Sequence, residues 1–171
     1  MKKIVLTYGL ISGLIISTFM AVTMPGVDEN TDMGHAQLIG YASMVVALST
    51  IFVGIKKYRD NELNGIISFG KAFLTGLYIA IIASTLYVLT WMVLSEFFLQ
   101  DFMANYTESA IADIKASDLS QIEIDEQIKN TTEMMEMYKN PVFKFFFTYI
   151  EILPVGLLIS LISAAILKKN N

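Results

Sequence analysis

The chain has 171 residues, 54% hydrophobic and only 16% charged, with a mean hydropathy of +0.56. That is more apolar than a water-soluble domain of this length tolerates, so lipid must form part of its solvent. Cysteine is absent, which excludes a disulfide framework, a thiolate nucleophile and a thiolate metal site; the net charge of −4, with no basic face, excludes nucleic acid as an expected partner.

A helix needs about 20 apolar residues to cross roughly 30 Å of hydrocarbon, because lipid offers its backbone amides no partner outside the helix. The first such stretch is Ile4 to Met24, closed by Pro25-Gly26. Lys2 and Lys3 ahead of it imitate a signal peptide, but the apolar run exceeds the roughly 7 to 15 residues of one, so a retained anchor is expected. The second span, Ala36 to Ile55, opens on His35 and closes on Lys56-Lys57. His35 is the sole histidine and lacks the second imidazole that the usual zinc patterns need.

Residues 56 to 65 are polar, and Ile66 to Phe73 reads two ways: an interfacial turn with Lys71 reaching the headgroups, or the start of the third span. That span runs from about Phe73 to Ser95, with Trp91 and several tyrosines near span ends expected as interfacial anchors. The connection from Glu96 to Asn140 is too long for an unstructured link. Phe98, Leu99, Phe102, Met103, Tyr106, Ala110, Ile111 and Ile114 share a helical face and should prolong the third span. Ser117 to Ser120 supplies a break with capping residues, and Ile124, Ile128, Met135 and Tyr138 form a second helical pattern. Asn140-Pro141 then begins the fourth span, about Val142 to Leu167.

Lys2, Lys3, Lys56, Lys57, Arg59, Lys71, Lys168 and Lys169 all fall at the termini or the second connection. The first connection carries Asp28, Glu29 and Asp32 without a cation, and the third carries ten acids against Lys115, Lys129 and Lys139. Basic residues beside spans stay on the cytoplasmic side, so both termini are expected inside and the two acidic connections outside. The expected fold is all-α: one polytopic membrane domain over residues 1–171, four transmembrane helices, and an extracytoplasmic helical hairpin over residues 96–140. Small residues recur every fourth position, at Gly9 and Gly13, at Gly76, Ala80 and Ser84, and at Gly156, Ser160 and Ala164. That spacing lets helices approach closely, and with three spans carrying it, packing within one bundle is the expected use rather than a homodimer face.

Glu151 lies about nine positions inside the fourth span, roughly 13 Å along the helix from that end. A charge at the bilayer centre costs about 2.5 to 3.5 kcal/mol on insertion scales, so it must face the bundle, be protonated or be paired. Pro154 leaves the Ile150 carbonyl without its helical donor and marks a place for a kink. Two readings of Glu151 follow: a proton or cation site, or polar glue held by Ser17, Ser43, Ser84, Thr85 or Tyr87 at matching depth. The glue reading is the default expectation.

Four strings, Gly40-Tyr41-Ala42-Ser43-Met44, Phe52 to Asp60, Ser68-Phe69-Gly70-Lys71-Ala72-Phe73 and Glu151-Ile152-Leu153-Pro154-Val155-Gly156, resemble a bacterial family known as domain of unknown function 4199. The resemblance covers nearly the whole chain and implies a small four-span protein of the bacterial inner membrane, with no activity to carry over. It directs attention to Arg59, Gly70, Lys71, Glu151 and Pro154 as candidate functional positions. No catalytic cluster, cofactor motif or metal-ligand pattern is visible, so no enzyme is expected. The expected function is a non-enzymatic accessory or scaffold subunit that binds a membrane partner or a second copy of itself within the lipid bilayer; the alternative is a small proton-coupled or cation transporter using Glu151.

Overall fold

The computed structural model describes residues 1–24, 33–99 and 102–169. Seven helices follow one another: α1 (Lys2–Thr23), α2 (Met33–Leu48), α3 (Thr50–Glu62), α4 (Phe69–Phe97), α5 (Phe102–Lys115), α6 (Gln121–Tyr138) and α7 (Pro141–Leu167). Four stretches are long and apolar enough to cross a membrane: α1, α2 with α3, α4 and α7. Only 33% of the apolar window in each is buried within the chain, so two thirds of every span needs an apolar solvent. Leu14, Val22, Val46, Ile150, Leu158 and Ile166 are among the side chains turned outward. A large outward apolar surface on every side is what lipid, and not water, accommodates.

Helix α4 is the centre of the bundle, packed along its length by α1 on one side and α7 on the other. The small-residue stripes explain both contacts. A Cβ built at Gly9 would lie 2.7 Å from Ile82 Cβ, and one at Gly156 would lie 2.7 Å from Ala80 Cβ. The backbones meet at these points because no side chain intervenes. Ile79, Ala80, Ala83 and Ile152 are fully enclosed there.

The second span is broken. Ser49 separates α2 from α3, its amide shared between the Val45 and Val46 carbonyls at 3.0 and 3.3 Å. The hydroxyls of Ser43, Ser49 and Thr50 each donate to a carbonyl three residues back, a pattern that bends helices. Thr50 also bonds the Ser12 hydroxyl of α1. The helix continues past Lys56-Lys57 to Glu62, because long basic side chains reach water while their backbone stays helical.

Both termini of the bundle's helical path, α1's start and α7's end, lie with the α3–α4 connection at one end, which is the basic end. There Asn64 and Gly65 turn with positive φ, Ile67 and Lys169 exchange backbone hydrogen bonds of 3.1 and 2.9 Å, and the extended Ser68 precedes α4 without a side-chain capping bond. The ambiguous piece, Ile66 to Phe73, is therefore the start of the third span from Phe69 onward.

At the opposite, acidic end, α4 stops at Phe97 instead of running on into α5. The Leu99 amide returns to the Leu94 carbonyl at 2.9 Å, and Leu99 is buried with Met20 and Trp91. Helix α4 therefore ends before α5, and the apolar face from Phe98 to Ile114 does not simply prolong the third span. Ser120 caps α6 in a capping box with Glu123, and α6 packs on α5 and on α7. The Asn140 side chain accepts from the Val142 and Phe143 amides at 2.9 and 3.3 Å, with Pro141 in the first turn of α7.

Candidate functional site

Toward the basic end, small side chains draw α4 and α7 together. Toward the acidic end larger side chains, Tyr87 and Trp91 on α4 and Phe147, Thr148 and Glu151 on α7, line a shared cavity. Helix α2 rests on α1 and α7, and α5 and α6 close over the top. The result is a chamber of about 710 Å³.

Its wall is largely ring and thioether. Ile16, Phe19, Met20 and Met24 come from α1, Tyr41, Ser43 and Met44 from α2, Tyr87 and Trp91 from α4, Met103 and Tyr106 from α5, Met134, Met135 and Tyr138 from α6, and Phe147 and Thr148 from α7. Six of the ten methionines of the chain line it. Two acids do so as well, Glu151 and Asp113, together with His35, and no lysine or arginine is among the described lining residues.

The roof is tied to the bundle by one polar network. The Trp91 indole N–H donates to the Tyr138 hydroxyl at 2.7 Å, and that hydroxyl lies 3.3 Å from the Thr148 hydroxyl. Phe147 meets the Tyr138 ring edge-on at 5.7 Å. Lys144 Nζ sits 5.7 Å from the Tyr138 ring centroid, donates to Ser95 Oγ at 3.3 Å and is 3.9 Å from the Glu96 carboxylate. Burial pushes the Tyr138 phenol up from its ordinary value, so this hydroxyl serves as a neutral hydrogen-bonding group. Trp91 is 6% exposed; it is a buried roof tie and not the interfacial anchor its position near a span end suggests.

Glu151 is half-buried in the chamber wall, about 15 Å along α7 from Pro141 at 1.5 Å per residue. Among the described residues, none of the polar groups that depth alone offers it bonds to its carboxylate. Ser43 donates to the Gly40 carbonyl, Ser17 accepts from Thr90 at 3.0 Å, and Thr85 pairs with the Tyr149 hydroxyl at 2.7 Å. Ser84 Oγ is buried without a partner. Tyr87 lies near enough to feel the Glu151 charge without a hydrogen bond to it. The carboxylate thus opens into the chamber instead of stitching helices together.

The other sequence candidates are not gathered here. Pro154 is exposed on the far side of α7, in an apolar groove with Thr85, Phe145, Phe146 and Leu157, so Glu151 and Pro154 belong to two surfaces and not to one polar spot. Helix α7 runs through Pro154 without interruption. Arg59 is at the basic end, roughly 24 Å along the bundle from Glu151 at 1.5 Å per residue, where its guanidinium donates to the Leu167 carbonyl at 3.3 Å and to Asp60 at 2.7 Å. Lys71 is exposed in the first turn of α4, and Gly70 beside it has open space around its α-carbon. Asp28, Glu29 and Asp32 of the first connection lie outside the described residues.

Sequence reasoning names Glu151, Ser43 and Tyr87 but not the chamber they share with the rest of the wall, because its residues come from six helices and share no local spacing. One signal was present: most methionines sit toward the same end of their helices. No group of three or more His, Asp or Glu side chains placed to hold a metal ion occurs among the described residues.

A family model described as protein of unknown function (DUF4199) matches residues 7–169. No curated protein and no solved structure matches the chain. The chain belongs to the DUF4199 family.

Proposed function

We propose that this family member is a small membrane-embedded carrier that takes a cation onto Glu151 from the side bearing α5 and α6, exchanging it with a proton. The observation that carries this reading is the open Glu151 carboxylate in a chamber whose described lining holds a second acid, Asp113, and no lysine or arginine. Keeping an acid at this depth costs about 2.5 to 3.5 kcal/mol on insertion scales, and no hydrogen bond to a described serine or threonine offsets it. The accessory-subunit reading, the stronger one on sequence alone, rests on the absence of a visible catalytic cluster, and the open Glu151 carboxylate favours the carrier over it.

The orientation in this proposal follows from charge: the basic end faces the cytoplasm of a bacterial cell, and the α5–α6 hairpin stands outside the inner membrane. Reporter fusions in the turn after Lys115 and at Lys169 test it, with an external Lys169 reversing the orientation. The function is tested on protein purified in mild detergent. Wild type should run without a stoichiometric partner and titrate one proton more than Glu151→Gln between pH 4 and 9. Equal titration of the two proteins rejects the carrier, and a stoichiometric membrane partner instead supports the accessory subunit.

A further inference from the structure

We propose that the cation is organic: an amine or quaternary ammonium carrying apolar groups, with Glu151 as counter-charge and the rings of Tyr41, Tyr87 and Trp91 enclosing its body. This rests on the reading of the chamber as a cation site. Its volume, about 710 Å³, lies within the range of roughly 300 to 1,000 Å³ for small-molecule sites. A bare inorganic ion would leave nearly all of it empty, and a dehydrated ion needs about six oxygen ligands, where this wall offers mainly rings and thioethers.

Charge decides among the molecules that would fit. An anion would meet Glu151 and Asp113 with no lysine or arginine on the lining to receive it. A neutral apolar molecule would strip water from the Glu151 carboxylate and return no partner, a costly exchange. A lipophilic cation pairs with the carboxylate, and aromatic faces attract it further. Six flexible methionines add a wall that reshapes around different apolar bodies. Lys144 stands two turns up α7 and is held by Ser95, Glu96 and the Tyr138 ring.

Titratable groups face Glu151 across the chamber from four elements: His35 and Tyr41 of α2, Tyr87 of α4, Tyr106 and Asp113 of α5, and Tyr138 of α6; α1 contributes none. Asp113 and His35 share the chamber wall with Glu151. The Glu151→Gln comparison therefore isolates the effect of that carboxylate.

The single tryptophan of the chain, Trp91, lies on the chamber wall and reports occupancy by its own fluorescence. Purified protein in micelles is titrated with tetraphenylphosphonium and, in parallel, with the isosteric anion tetraphenylborate. The phosphonium should quench Trp91 saturably, bind more tightly at pH 8 than at pH 5, and lose at least about tenfold in affinity in Glu151→Gln, as for a charge pair out of water. Tetraphenylborate should give no saturable quench. Should Glu151→Gln not elute as wild type, Tyr41→Ala, on the partly exposed α2 wall, carries the test with an expected loss of about threefold or more.

Equal binding of the two probes, or phosphonium binding unchanged in the variants, overturns the organic-cation inference. The same proteins titrated for protons separate the two levels. If sodium or potassium shifts the Glu151-dependent proton and the phosphonium does not, the carrier reading stands and this inference falls. If no cation shifts it, both fall.

Discussion

Gly156→Ala is a one-carbon test of how α4 and α7 meet. The added Cβ would stand 2.7 Å from Ala80 Cβ and 3.7 Å from Ala80 Cα. Carbon atoms in favourable contact sit about 3.5 to 4.0 Å apart, so the shortfall is roughly 1 Å. Alanine has no rotamer through which to yield, and the two helices must separate. Separation by that distance forfeits about a quarter to a half of each neighbouring dispersion contact, and overpacking of this kind costs about 1 to 3 kcal/mol. Helix propensity opposes it by about 1 kcal/mol in favour of alanine. The expected net effect is a destabilisation of up to about 2 kcal/mol, read as a lower midpoint when protein in mixed micelles is unfolded with dodecyl sulfate and followed by circular dichroism. Gly70→Ala is the internal control: nothing lies within 4 Å of its Cβ, so it should be neutral or slightly stabilising. Adding Ala80→Gly to Gly156→Ala removes the opposing methyl and should restore most of the loss, a coupling that only contacting residues show. A Gly156→Ala protein as stable as wild type, or one that Ala80→Gly does not rescue, would refute the close packing of α4 on α7.

Two further outcomes follow from the acidic end of the bundle. Lys144→Met removes the contacts to Ser95, Glu96 and the Tyr138 ring and should loosen the roof, shifting Trp91 emission to the red and speeding amide exchange in α6. Unchanged emission and exchange would show that Lys144 does not hold the roof. The Glu123 carboxyl accepts from the Ser120 amide and hydroxyl at 2.9 and 2.7 Å, which hold it below its ordinary value. Its folded pKa is lower than its unfolded one, so this contribution to α6 is complete above the unfolded value, near pH 4.3, and disappears as pH falls through the lowered one. Protection of the first-turn amides of α6 should fall across that window in wild type and be weak at every pH in Ser120→Ala, where a cap worth about 1 kcal/mol is gone. Pre-existing protection that ignores both the pH and the substitution would count against the capping box.

The four spans were legible in the linear chain because the requirement behind them is local. A helix in hydrocarbon must be apolar over its whole length, and that length is counted along the sequence. Helix ends such as Ser120 and Asn140-Pro141 were legible for the same reason, since capping engages neighbours within a turn. The stripes at Gly9, Gly76 and Gly156 told which faces approach, though not which helix each would meet. Where local signals competed, sequence erred. The apolar face shared by Phe98 and Ile114 argues for one long helix, yet α4 ends at Phe97, where the Leu99 amide returns to the Leu94 carbonyl and the leucine is buried with Met20 and Trp91. The Ser49 break in the second span depends on side-chain hydroxyls bonding back to carbonyls and left no interruption in the hydropathy.

Glu151 shows the division most clearly. Its depth and its cost were determined by sequence alone, because both depend only on its place in an apolar run. Whether that carboxylate would be bound by a serine or left facing space was settled by side chains more than 60 positions away along the chain, Tyr87 and Tyr41 among them. Helices approach closely where small residues oppose, and which residues oppose one another is a property of tertiary packing. The chamber exists for that reason, and so do the exposure of Pro154 on the opposite surface and the burial of Trp91 beneath the α5–α6 pair.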